Sequence, residues 1–224
     1  MKNVFVLWSG GLDSTYLIYD NLTKGHYVRG GYVELVNNKF QVYKEKNSLC
    51  KLYDIFEANF GDQFSYTELV KFDVDNKGDY LWLPQPLIWL TSSLFISGSF
   101  DEIQLAYIMN DDAISYLEDL KKIHRSYVPI APGLPPIKFP LSKTKKEEII
   151  ERLPKQYLKE ISFCESDEEI RYCGECPSCK RMKNLLNDIS KYKDFFAFGV
   201  SDKSIQFEFD FGEETKHVIN GFSI

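Results

Sequence analysis

Asn3-Val4-Phe5-Val6-Leu7-Trp8-Ser9-Gly10-Gly11-Leu12-Asp13-Ser14 is the stretch that decides how this chain is read. Its apolar run ends abruptly in Ser-Gly-Gly, the pattern of a buried strand that feeds a turn. A helix is expected from Asp13 to Lys24, ended by Gly25. Working outward, Val28 to Val36 reads as a strand, Gln41 to Asn59 as a helix and Thr67 to Val74 as a strand. Pro86 to Ser97 reads as an apolar helix, Glu102 to Ile108 as a fourth strand, and Ala113 to Lys122 as another helix. This alternation predicts an α/β fold, a parallel sheet with helices on both faces. Such sheets bind ligands at the C-terminal ends of their strands, beside the first strand–helix turn.

Beyond residue 128 the rhythm changes. Pro129 to Pro140 holds five prolines and one glycine and is expected to be an extended surface loop. A helix is expected from Ser142 to Arg152, with Thr144 and Glu147 as a capping box. After Pro154 come a short helix or strand, a cysteine cluster, and a helix from about Ser178 to Ile189. In the tail, Ile205, Phe207, Phe209 and Phe211 alternate with polar residues, which predicts a β-hairpin over Ile205 to Ile224. A lone hairpin is marginal, so it should rest on the body of the protein or on a second copy in a homodimer. The expected divisions are 1–153 for the α/β domain, 154–194 for the cysteine knuckle with its helix, and 195–224 for the tail.

At 224 residues, 44% hydrophobic and 27% charged, the chain has the composition of a folded globular protein. Its formal charge of -6 disfavours wholesale binding to a nucleic-acid backbone, which needs a surplus of Lys and Arg, so direct nucleic-acid binding is not expected. The N-terminal apolar stretch is five residues long, too short for a signal segment or a membrane span. No membrane association and a cytoplasmic location are expected.

The turn after the first strand is built to meet an anion. Gly10 and Gly11 let the backbone approach closely, and the helix behind them offers unpaired N–H groups with a partial positive charge. Ser9 and Ser14 add hydroxyls, and Asp13 fits beside a polyanion if it holds Mg²⁺ or orients the loop. The chain has no Gly-Lys-Ser/Thr and no G-x-G-x-x-G in this turn, so neither a Walker loop nor a dinucleotide fingerprint is present. Four of the five cysteines, Cys164, Cys173, Cys176 and Cys179, are spaced C-x8-C-x2-C-x2-C. Four thiolates would close the shell of a structural Zn²⁺, and the same spacing also suits an iron–sulfur cluster. The remaining cysteine, Cys50, reads as a small buried apolar residue on the second helix.

Ser9 to Ser14 resembles the S-G-G-x-D-S loop of the PP-loop ATP pyrophosphatases, which have an adenine nucleotide alpha hydrolase-like fold. That family cleaves ATP between the α- and β-phosphates, adenylating a carbonyl or carboxylate oxygen that a nitrogen or sulfur nucleophile then attacks. The resemblance implies an ATP site formed by Ser9, Gly10, Gly11, Leu12, Asp13, Ser14 and Thr15, with catalytic roles for Asp13 and Lys146. Pro140-Leu141 followed by Lys146 is similar to the family's second phosphate-contacting segment; by its composition alone, Lys146 reads equally as a solvated lysine. Cys164 with Cys173-Gly174-Glu175-Cys176-Pro177-Ser178-Cys179 resembles the zinc-binding cysteines of the 7-cyano-7-deazaguanine synthase family. The resemblance runs from about Val4 to Leu186. It implies conversion of a deazapurine acid, 7-carboxy-7-deazaguanine, to the nitrile with ATP, Mg²⁺ and ammonia, as in queuosine biosynthesis.

Three substrate stretches depart from that family. Tyr32 to Lys39 lacks its glycine-glutamine-arginine-histidine, and Pro84-Gln85-Pro86-Leu87 replaces proline-glycine-arginine-asparagine. Asp112 and Tyr116 keep the spacing of a substrate-binding pair, but Leu117-Glu118-Asp119-Leu120 follows. Asp112 reads either as a contact to the amino edge of a base or as an ordinary helix cap. These departures leave three other readings: a ligase for another acid, amide or macromolecular acceptor; a tRNA sulfurtransferase; and a non-catalytic nucleotide-binding module.

Overall fold

The computed structural model describes residues 1–36, 39–73, 85–96, 99–109, 111–166 and 172–188. The helices and strands in chain order are β1 (Asn3–Leu7), α1 (Leu12–Thr23), β2 (Tyr27–Val36), α2 (Lys39–Phe60) and β3 (Phe64–Asp73). There follow α3 (Gln85–Ser92), β4 (Glu102–Gln104), α4 (Leu117–Tyr127), β5 (Ile137–Lys138), α5 (Lys146–Arg152), α6 (Lys155–Leu158) and α7 (Pro177–Asp188). The five strands form one sheet in the order β3-β2-β1-β4-β5, and every pairing is parallel. The expected α/β architecture is the observed one.

β1 shows why. Val4, Val6 and Trp8 pack on one face, in a core with α1, α2, α5, α6 and α7. Phe5 and Leu7 pack on the other, with residues of α3 and α4. A strand buried on both faces must be apolar at every position, which is the continuous run seen in the sequence. Trp8 anchors the first core: its indole N–H donates to Thr15 Oγ1 at 3.0 Å, and its ring meets Phe56, Phe64 and Tyr66 edge-on. β2 accommodates these rings with Gly30 and Gly31. A Cβ at Gly30 would sit 2.7 Å from Trp8, and one at Gly31 would sit 2.2 Å from Phe5.

Several boundaries differ from expectation. β3 begins three residues earlier than expected, at Phe64, and α2 is longer at both ends. β4 stops at Gln104, where its pairing with β1 ends; the Leu105 N–H still bonds to Lys138 O at 3.0 Å, and further on the Ile108 N–H goes to the Asp111 carboxylate at 2.8 Å. α3 ends at Ser92, where the Ser92 and Ser93 hydroxyls bond back to the carbonyls of Ile88 and Leu90 and the helix tightens into a 3-10 turn. Asp112 to Tyr116 is likewise a 3-10 turn, with α4 beginning after it. The proline-rich loop contains β5, a two-residue strand paired to β4. α5 starts at Lys146 rather than Ser142. Thr144 lies in a turn, its N–H bonded to Leu141 O, and Glu148 instead reaches back to the Lys145 N–H. Ile189 and the expected hairpin over Ile205 to Ile224 lie outside the described residues. Among the described residues no helix is long and apolar enough to cross a membrane.

The close packing at β2 makes a direct prediction. Gly31→Ala forces a methyl into the Phe5 ring, so it should destabilise the protein by about 1–3 kcal/mol. A lower urea midpoint at unchanged slope is the expected result, and an unmoved midpoint would contradict this packing.

Candidate active site and metal centre

β1 is the central strand from which the chain proceeds to β2 and β3 on one side and later to β4 and β5 on the other. The crevice between the C-terminal ends of β1 and β4 is therefore the switch point where parallel sheets bind ligands. A cavity of about 430 Å³ opens there, lined by Ser9, Gly11 and Asp13 after β1 and by Tyr107, Asp111 and Asp112 after β4. Pro86 and Trp89 border it from α3.

The loop is shaped by Gly10, whose φ of +72° lies in the left-handed region that favours glycine. Its carbonyl accepts the Ser162 N–H at 2.8 Å and, at 3.1 Å, shares the single Ser48 hydroxyl proton with the carbonyl of Glu160. Gly11 is the N-cap of α1 and has no side chain to satisfy the first-turn amides. Those amides are available to an anion. Ser9 Oγ lies 3.5 Å from Ser14 Oγ, so the two hydroxyls flank the same turn. Leu12 is buried in the core and Thr15 is spent on Trp8. Of the expected ATP-binding set, Leu12 can offer only its backbone N–H, and the Thr15 N–H is itself bonded to the Gly11 carbonyl at 3.1 Å.

Asp13 and Lys146 are brought together, with Lys146 Nζ 3.3 Å from Asp13 Oδ2. The other oxygen, Oδ1, is buried with no hydrogen-bond partner among the described residues. Burial raises the Asp13 pKa, Lys146 opposes that rise, and the nearby Asp111 carboxylate adds to it. An orphaned carboxylate oxygen with a second acid close by fits a hard cation such as Mg²⁺, which binds through oxygen. Asp112 lines the cavity, whereas Tyr116 is 59% exposed and does not. The capping role falls to Asp111, whose carbonyl takes the Ile114 N–H.

At the knuckle, the Sγ atoms of Cys164, Cys173, Cys176 and Cys179 all lie within 4.8 Å of one another, and Cys173 to Cys179 is 3.9 Å. Ligands about 2.3 Å from one tetrahedral ion sit roughly 3.8 Å apart. A cubane with iron at its corners holds its thiolates wider. Backbone N–H groups of Cys173, Glu175, Cys176 and Cys179 donate to sulfur at 3.2 to 3.4 Å. Burial pushes the Cys164 thiol up, but hydrogen bonds from Ser166 and the Cys173 N–H, with the Lys44 charge, bring its pKa down to about 6. Burial also pushes Cys179 up, and there it prevails: the thiol lies well above the ordinary range, with Cys176 and Cys164 adding to the rise. A bound cation is what would stabilise all four as thiolates.

Two features escaped the sequence reading. Lys44 is 8% exposed, with Nζ 2.7 Å from Ser166 O and 3.8 Å from Cys164 Sγ, so a buried ammonium faces the cysteine centre. Cys50, expected to be buried, is exposed, because the apolar stripe of α2 runs through Leu49, Leu52 and Phe56 and leaves it one residue off that face. It does not line the cavity.

The buried carboxylate makes a stability prediction. With the folded-state pKa of Asp13 raised, its ionised form costs native stability as pH climbs above the unfolded value of about 4. Asp13→Asn should therefore melt higher than wild type at pH 7, with the gap closing as pH falls toward about 4. A lower melting temperature for the variant at pH 7 would contradict the burial argument.

No protein-family model matches the chain, and no curated protein matches it in sequence. Among solved structures, it is similar to the U34-tRNA thiolase NcsA from Methanococcus maripaludis with its 4Fe-4S cluster. That match has 13% identity and a TM-score of 0.47, over 87% of this chain and 68% of that one. It is also similar to a predicted subunit of tRNA methyltransferase from Methanocaldococcus jannaschii, at 14% identity and a TM-score of 0.43, over 67% of this chain and 73% of that one.

Proposed function

We propose that this protein is an ATP-dependent, AMP-forming carbon–nitrogen ligase that converts the carboxylate of a deazapurine, 7-carboxy-7-deazaguanine, to the nitrile with ammonia. The observation that carries this reading is the Ser9–Ser14 loop with its Asp13–Lys146 pair, opening on the same cavity as Asp112. The α1 amides and Lys146 bind the ATP phosphates, and the Ser9 and Ser14 hydroxyls donate to them. Asp13 and Asp111 are the residues that would hold Mg²⁺, which supplies charge neutralisation at the phosphates when bound. Trp89 and Tyr107 offer aromatic surface to a planar acceptor, and Asp112 offers a carboxylate to its amino groups.

In the reaction, the acceptor carboxylate oxygen attacks the α-phosphorus and pyrophosphate leaves. Ammonia then displaces AMP to give the amide. The amide oxygen, adenylated in turn by a second ATP, departs with AMP and leaves the nitrile. The protein's part is to hold carboxylate and α-phosphate at attacking distance. The exposed Cys50, away from the cavity, supplies no sulfur-carrying group there and weighs against the sulfurtransferase reading.

The four cysteines take one structural Zn²⁺, a reading supported by the short Sγ separations. The same proposal takes 1–153 as the ATP-binding unit, 154–194 as the zinc unit and 195–224 as the tail. It places the protein in the cytoplasm, working on small molecules as a homodimer.

The test uses freshly purified protein, first analysed for metal and then incubated with ATP, Mg²⁺, ammonia and 7-carboxy-7-deazaguanine. One zinc per chain and a nitrile product by mass spectrometry are expected, with Asp13→Ala inactive. Iron with acid-labile sulfide would contradict the zinc centre, and an unconverted acid would remove this acceptor from the reading.

A further inference from the structure

The Gly10 carbonyl and the Gly11 N–H belong to one trans peptide unit, so they point in opposite directions. Whatever holds that carbonyl therefore also aims the Gly11 N–H. Two groups from outside the loop hold it, the Ser162 N–H and the Ser48 hydroxyl. Gly11 itself lines the cavity. The anchored side of this peptide thus faces protein, and its donor is directed toward the place where phosphate would lie.

Ser48 is well placed for such a task. It is 5% exposed on α2, and its single hydroxyl proton is shared between the carbonyls of Gly10 and Glu160, tying both to the helix. α2 packs directly on the loop, since Glu45 O and Leu49 Cγ both lie 3.3 Å from where a Gly10 Cβ would be. One helical turn earlier, Lys44 of the same helix holds Ser166 beside Cys164. Ser162, the second anchor, stands two residues before Cys164. One face of α2 and the strand of chain entering the cysteine centre together fix the orientation of a single peptide.

We propose that Ser48 is a positioning residue of the phosphate-binding loop, acting through the Gly10 carbonyl to aim the Gly11 N–H at the ATP phosphates. This rests on reading Ser9 to Ser14 as the ATP site. The hydroxyl does not touch ATP. It sets the direction of a donor that does, so its loss should be felt in binding and in the motion of the loop.

The experiment compares wild type with Ser48→Ala and with the pair Ser48→Thr and Ser48→Val, which match in size and differ in the hydroxyl. Three quantities are read: zinc content, amide hydrogen exchange over residues 9–14 without nucleotide, and equilibrium binding of ATP with Mg²⁺. Ser48→Ala should keep its zinc, exchange faster in the loop and bind ATP about tenfold more weakly. Ser48→Thr should stay close to wild type and Ser48→Val should follow Ser48→Ala. If Ser48→Ala does not fold, the Thr–Val pair decides. Equal loop exchange and equal ATP affinity with and without the hydroxyl would overturn the proposal. Faster loop exchange in the hydroxyl-less variants, in a protein whose wild type binds no ATP, would uphold the positioning and sink the ATP reading.

Discussion

The left-handed Gly10, with its carbonyl held from two sides, is the constraint on which the rest of this molecule depends. It ends β1, opens α1, and gives α2 and the chain before Cys164 a common point of attachment. A side chain at this position would meet Glu45 O and Ser48 Oγ at 3.3 and 3.1 Å while forcing an unfavourable φ. The same residue therefore satisfies a backbone requirement, a packing requirement and the exposure of amides toward a cavity.

Two concentrations of negative charge sit close to this point, and each is matched by one lysine. Among the described residues Asp13 has Lys146 on one oxygen and no partner for the other, while Cys164 has Lys44. In neither case do the described residues complete the compensation. A buried carboxylate oxygen without a partner costs stability in a resting protein, and such costs persist where a ligand removes them. The cysteine array follows the same logic: hydrogen bonds lower Cys164 and burial raises Cys179, so four thiolates need a cation between them.

The sheet and its loop were legible because β1 is buried on both faces and has to be apolar throughout, and because one short string supplies turn, helix start and donors. Elements closed by distant partners were not. β5 is two residues long inside a proline-rich stretch, with too little pattern to register, and exists through pairing with β4. The apolar run after Gln104 continues past the last paired residues, where the Ile108 N–H goes to the Asp111 carboxylate, so hydrophobicity alone overextends β4. Lys44 meets Cys164 across 120 positions and Ser48 meets Glu160 across 112, and no local spacing records such contacts. Tyr116 kept a family spacing, but the 3-10 turn from Asp112 carries it away from the cavity.

The proposed role of the loop after β1 is to direct cleavage of ATP between its α- and β-phosphates. Phosphorus NMR of the zinc-loaded protein with ATP, Mg²⁺, ammonia and the deazapurine acid tests it most directly. Signals of AMP and pyrophosphate, growing together, are expected. Signals of ADP and inorganic phosphate would contradict it.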